Sequence, residues 1–148
     1  MVYITNIDSR GRIRFTKTHH MIHTEATGED SYAGIIMFIA KTFKITRSTE
    51  LIKGRMLNTK LKHTTTNKDY NITSFYGYSG KDSPQNKISA VIEKLETTHD
   101  QGGENMILGD FNFVDNDLDR TNESKIGMNQ NDKKISGPWI KFTIKQNR

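Results

Sequence analysis

A short apolar run, Met106-Ile107-Leu108, stops at Gly109 and delivers Asp110 and Asn112 where the run ends. The run reads as a buried strand. The loop beyond it constrains the chain most: four carboxylates, Asp110, Asp115, Asp117 and Asp119, fall within ten residues. Concentrating that charge in one loop costs self-repulsion, which is most easily understood if a cation, or Arg120 and its neighbours, offsets it. The rest of the chain is basic, with 22 Lys and Arg against 17 Asp and Glu, a formal net charge of +5 and a pI near 9.4. That balance favours polyanionic partners such as nucleic acid over acidic ones; a merely solvated basic surface is the alternative.

A chain of 148 residues suits one domain, taken as 1–148, and is long enough to bury a core. Hydrophobic content of 33% and a mean hydropathy of -0.71 make that core lean, but the apolar residues cluster in periodic segments, which argues against disorder throughout. The absence of cysteine excludes disulfides and thiolate metal sites and fits a reducing compartment. No apolar run approaches a membrane span, and the N-terminus lacks a signal-peptide pattern. A soluble intracellular protein, nuclear or cytoplasmic, is the expectation. Asn71-Ile72-Thr73 and Asn122-Glu123-Ser124 then match the glycosylation sequon by chance.

The first third of the chain is strand-like. Val2 and Ile4 alternate with Tyr3 and Thr5, and Ile13 and Phe15 alternate with Arg12, Arg14 and Thr16, with a turn at Asp8-Ser9-Arg10-Gly11 between. A second pair runs from His19 to Thr24, turns through Gly28-Glu29-Asp30, and continues from Ala33 to Ala40 as a central strand; Phe43 and Ile45 begin another. Leu57, Thr59 and Leu61, then Tyr70, Ile72, Ser74 and Tyr76, alternate on either side of a polar turn and predict a hairpin. Ser83-Pro84 followed by Ile88, Val91, Ile92 and Leu95 predicts a helix ending near Thr98, with Gly102-Gly103 as its breaker. Ile135, Trp139 and Phe142 predict a last helix starting at Pro138. Strands, a helix, a strand and a helix in that order point to an α/β or α+β sandwich rather than a Rossmann repeat.

Carboxylate and side-chain amide oxygens in the acidic loop suit a hard cation such as Mg²⁺ or Mn²⁺. A calcium loop starting at Asp115 fails on spacing, because Arg120 stands where glycine is required and Ile126 where glutamate is. An Asx-rich turn capped by its own side chains accounts for the same residues without a metal. His19, His20 and His23 have zinc-like spacing, but strand alternation sets His20 and His23 on opposite faces. Gly80-Lys81-Asp82 lacks the hydroxyl residue and the earlier glycine of a phosphate loop and reads as a turn. Lys60, Lys62 and Lys68 read as a solvated hairpin face rather than a phosphate track.

Gly109-Asp110-Phe111-Asn112, five residues, then Leu118-Asp119-Arg120 resembles the signature of the endonuclease/exonuclease/phosphatase superfamily, most like the endonuclease domain of non-LTR (LINE-type) retrotransposons. Phe75-Tyr76-Gly77 stands where that family has a strand ending in tyrosine, with Tyr78-Ser79 in place of the usual Pro-Asn. Tyr32 to Met37 resembles its small-residue core strand, and the segment with Trp139 and Phe142 resembles the one after the motif in that family. The similarity spans residues 30 to 145, specific at the acidic loop and diffuse elsewhere.

The resemblance implies a four-layer α/β sandwich, two packed mixed sheets flanked by helices, here partial and truncated at both ends. It also implies phosphodiester hydrolysis of DNA with Mg²⁺ or Mn²⁺, no small-molecule cofactor, and a reverse transcriptase domain in the parent polyprotein. By resemblance Asp110 activates the water, Asn112 steadies the phosphate or metal shell, and Tyr76 contacts the phosphate; Asp110 and Asn112 are the metal residues. Asp119 and Arg120 brace the loop through a charge-assisted hydrogen bond. The family's metal-binding glutamate has no convincing counterpart among Asn6, Glu25 and Glu29, and no histidine follows Asn112 to match its Asp-His pair. Weak or absent hydrolysis is therefore expected. A non-catalytic nucleic-acid-binding fragment and a phosphatase of the same superfamily are the alternatives.

Overall fold

The computed structural model describes residues 18–24, 34–78, 84–99, 102–112, 121–122, 125–126 and 137–139. The chain divides into two compact units, one of residues 1–75 and 100–108, the other of 76–99 and 109–148. The alternating segments at 2–5 and 13–16, the turn at 28–30, Ser83, Asp115, Asp117, Asp119, Arg120, Ile135 and Phe142 lie outside the described residues.

The first unit is built on two packed sheets. Strands β1 (His19–His23) and β2 (Ile36–Ala40) pair antiparallel, with His19 opposite Ala40 and His23 opposite Ile36. Mutual bonds between Thr24 and Ile35 extend the ladder: the Thr24 N–H donates to the Ile35 carbonyl at 2.9 Å, and the Ile35 N–H to Thr24 Oγ1 at 3.0 Å. The second sheet has the order β3-β4-β5-β6, from β3 (Phe43–Ile52), β4 (Met56–His63), β5 (Asp69–Tyr76) and β6 (Glu104–Asp110). Strands β3, β4 and β5 form an antiparallel meander. Gly103 lies against Asp69 and Asn105 bonds Asn71, so contacts climb both chains in the same sense and β6 runs parallel to β5. The sheet is therefore mixed, and the fold is a partial α/β sandwich.

Alternation explains where the core sits. Met37 and Ile39 on β2 and Leu57, Thr59 and Leu61 on β4 are buried, and the Thr59 hydroxyl donates to Met37 Sδ at 3.6 Å across the two sheets. On β5, however, the buried residues are Asn71, Thr73 and Phe75, not the Tyr70, Ile72, Ser74 and Tyr76 set that hydropathy picks out. The amides satisfy one another. Asn58 Nδ2 donates to Asn71 Oδ1 at 2.8 Å and to Thr73 Oγ1 at 2.9 Å, and Asn71 Nδ2 donates to Asn105 Oδ1 at 2.8 Å. This side-chain ladder ties three strands together in register and lets polar groups be buried without orphan donors.

Two expectations are corrected. Met106 and Leu108 are 39% and 43% exposed, not buried, because β6 ends its sheet among the described residues and has one neighbour, β5. Strand β2 is likewise not central among the described residues; it pairs with β1 alone, and Ile36 is exposed while Met37 and Ile39 point inward. Strand β3 is longer than Phe43 and Ile45 imply, and two register shifts interrupt it, between Ile45 and Arg47 and between Glu50 and Ile52.

In the second unit, helix α1 (Pro84–Thr98) buries Ile88, Val91 and Leu95, as its i, i+3, i+4, i+7 spacing predicts. Proline at the first helical position costs no hydrogen bond, since that N–H has no partner inside the helix. Strands β7 (Thr121–Asn122) and β8 (Lys125–Ile126) form a small antiparallel pair, and residues 137–139 make one helical turn. Among the described residues, no helix is long and apolar enough to cross a membrane.

The amide ladder yields a stability prediction. Asn71→Leu keeps volume but takes an acceptor from the buried Asn58 amide and a donor from Asn105, so it costs about 2–4 kcal/mol in denaturant unfolding. Asn58→Leu combined with Asn71→Leu costs less than the sum of the two singles, because the shared bond is removed only once.

Candidate functional site

Tyr76, Gly77, Asp110 and Asn112 belong to the same compact unit although more than thirty residues separate the two pairs. Gly77 joins them through its backbone. Its N–H donates to the Asp110 carbonyl at 2.6 Å, and its own carbonyl accepts from Asn112 Nδ2 at 2.9 Å. A Cβ built on Gly77 would collide with the Phe111 backbone carbonyl, so no other residue type allows this approach without moving the loop.

The loop is also folded on itself. Asp110 Oδ1 accepts the Asn112 N–H at 3.0 Å, an Asx turn, and Asn112 holds φ at +54°. Asparagine tolerates that left-handed conformation better than most residues, because its short amide bonds locally. The Phe111 ring, between the two polar residues, packs at 57° and 5.0 Å against Trp139. An inward aromatic anchor thus lies between two outward polar side chains. Beside this, Lys87 Nζ sits 4.7 Å over the Tyr78 ring, a cation–π contact on the residue next to Gly77.

These bonds decide which donor atoms can face a ligand. Both Asp110 and Asn112 are exposed. With Oδ1 of Asp110 accepting from the backbone and Nδ2 of Asn112 committed to Gly77, Asp110 Oδ2 and Asn112 Oδ1 have no hydrogen-bond partner among the described residues. One carboxylate oxygen and one amide oxygen form a hard, oxygen-only donor pair. That fits Mg²⁺ or Mn²⁺, which keep most of their water and take one or two protein oxygens plus a substrate phosphate. No group of three or more His, Asp or Glu side chains close enough to hold a metal occurs among the described residues.

The structure thus brings Asp110, Asn112 and the backbone after Tyr76 together. Tyr76 is half-buried and ends β5. The bracing expected of Asp119 and Arg120 falls outside the described residues. Sequence reading passed over Gly77 itself. Its signal was a glycine directly after a strand, a common mark of close backbone approach. No family model matches the chain, and no curated protein is detectably similar to it.

The geometry separates the two jobs of Asn112. Asn112→Gly loses only the side-chain bond and costs about 1 kcal/mol, whereas Asn112→Ala also takes on the left-handed backbone and costs about 2 kcal/mol. Paired denaturant titrations of the two variants measure the difference.

Proposed function

We propose that the chain is a divalent-metal-dependent phosphodiesterase of the endonuclease/exonuclease/phosphatase type, cutting DNA slowly. The observation that supports it is the clasp at Gly77, which holds the carboxylate of Asp110 and the amide of Asn112 on the same loop, facing outward, beside the end of the strand that carries Tyr76. A cation held by Asp110 Oδ2 and Asn112 Oδ1 would supply Lewis-acid polarisation of a phosphoryl oxygen. Asp110 is the group able to take a proton from the attacking water. Asn112 is a neutral donor or acceptor beside the developing charge, and the Tyr76 hydroxyl is the phosphate contact. The backbone bonds fix the rotamers of Asp110 and Asn112 before substrate arrives, so little reorganisation is left for the reaction. A nuclear or cytoplasmic setting accompanies a DNA substrate.

The net charge of +5 favours one other reading, nucleic-acid binding without hydrolysis. Nicking of supercoiled plasmid separates the two. The expected result is slow nicking with Mg²⁺ or Mn²⁺, none with chelator, and a loss of about 10²-fold or more in Asp110→Ala. Binding that weakens with salt while the plasmid stays intact would replace hydrolysis with binding alone. Release of phosphate from a small monoester with no nicking would move the chain to the phosphatase branch.

A further inference from the structure

The cross-strand register of the first unit assembles a cationic surface that sequence spacing alone does not reveal. Lys44 on β3 stands directly opposite Lys62 on β4, and Arg47 directly opposite Lys60. Residues directly opposite each other share a face, and Lys60 and Lys62 share one through strand alternation, so all four cations lie on the same face. Arg47 reaches it only through a β-bulge. Without the extra residue, Thr46 would pair with Lys60 and Arg47 would turn to the other face; instead the Thr46 hydroxyl donates to the Lys60 carbonyl at 3.0 Å and Arg47 takes the pairing position. Bulges characteristically re-aim a side chain in this way.

Like charges placed directly opposite on a sheet are destabilising, so two such pairs side by side are a cost to the fold alone. Some of that cost is offset among the described residues. Asp69 pairs with Lys62 at 2.9 Å, and Arg47 Nε donates to Thr49 Oγ1 at 3.2 Å. Glu50 is turned away, its Oε1 accepting the Gly54 N–H at 2.7 Å. Lys44 and Arg47 are exposed.

We propose that this face, Lys44, Arg47, Lys60 and Lys62, docks the phosphate backbone of duplex nucleic acid. Charge complementarity selects a polyanion, whose phosphates take the place of condensed counterions. The aromatic rings nearby, Phe43, His63 and Tyr70, pack on one another, with Phe43 4.9 Å from His63 and 5.5 Å from Tyr70. Phe43 and His63 pair one step from Lys44 and Lys62, and Tyr70 pairs with Leu61, so these rings lie on the opposite face. The cationic face therefore lacks a described stacking platform for unpaired bases, and the apolar side chains Met56 and Phe75 on it are buried and so not offered to a lipid surface. Contact is with backbone alone, without sequence preference. The surface lies in the first compact unit and the Gly77 clasp in the second, so docking does not depend on hydrolysis.

The test is fluorescence anisotropy of a labelled DNA duplex across a salt series, with chelator present throughout. Lys44→Glu with Arg47→Glu should weaken binding at low salt by about tenfold or more and flatten the log–log salt slope by about 2. Lys53→Glu with Lys94→Glu, at exposed positions in the β3–β4 turn and on α1, makes the same change in net charge and should shift affinity less than twofold. Lys44→Gln with Arg47→Gln should fall between, and thermal melting confirms that each variant is folded. Equal losses in the two charge-reversed variants would overturn the proposal, since net charge alone would then explain binding. So would unchanged affinity in the patch variants, or an effect confined to binding of phosphatidylserine vesicles or of single-stranded DNA.

Discussion

Two peptide groups meet at Gly77 closely enough that a methyl group would not fit, and the candidate site depends on that approach. The Gly77 N–H and C=O each take one bond from the 110–112 segment, so both orphan backbone groups at the end of β5 are satisfied by the loop that carries the polar side chains. Asn112 can then hold a left-handed backbone while Asp110 caps it. The positions of the two side chains follow from main-chain bonding rather than from contacts with each other's functional atoms. One oxygen on each is consequently left to face outward.

The same strand carries the amide ladder through Asn71, and the two features together show what sequence can and cannot disclose. Helix α1 was legible from first residue to last, since its proline and its apolar spacing act locally. The β4–β5 hairpin was legible for the same reason, and Asp110 and Asn112 stand out in the sequence by charge density and spacing. The burial phase of β5 was not. Hydropathy assigns Asn71 and Thr73 to solvent, and only the cross-strand partners Asn58 and Asn105 make their burial affordable. Met106 and Leu108 failed in the opposite direction, because an apolar run does not disclose whether its strand has one neighbour or two. Gly77 was easily passed over as a site residue, because its part is to lack a side chain and its only signal was a glycine directly after a strand.

Charge is divided in a way that composition conceals. The net +5 is not spread evenly: register and one bulge gather four cations on the β3–β4 face, while the carboxylates cluster after β6. Lys60 and Lys62, which by spacing alone read as a solvated face, acquire partners of like charge across the strand. Pairing geometry, rather than residue count, is what turns a mild basic excess into a surface with a direction.

The central claim is that the loop clasped by Gly77 is where a divalent cation and a phosphodiester would meet. Paramagnetic broadening by Mn²⁺ in the amide NMR spectrum tests it most directly and without requiring turnover. Substoichiometric Mn²⁺ should broaden the amides of Gly77, Asp110, Phe111 and Asn112 first and lose the effect in Asp110→Asn. Broadening centred on the histidines of β1, or none at the 110–112 loop, would contradict it.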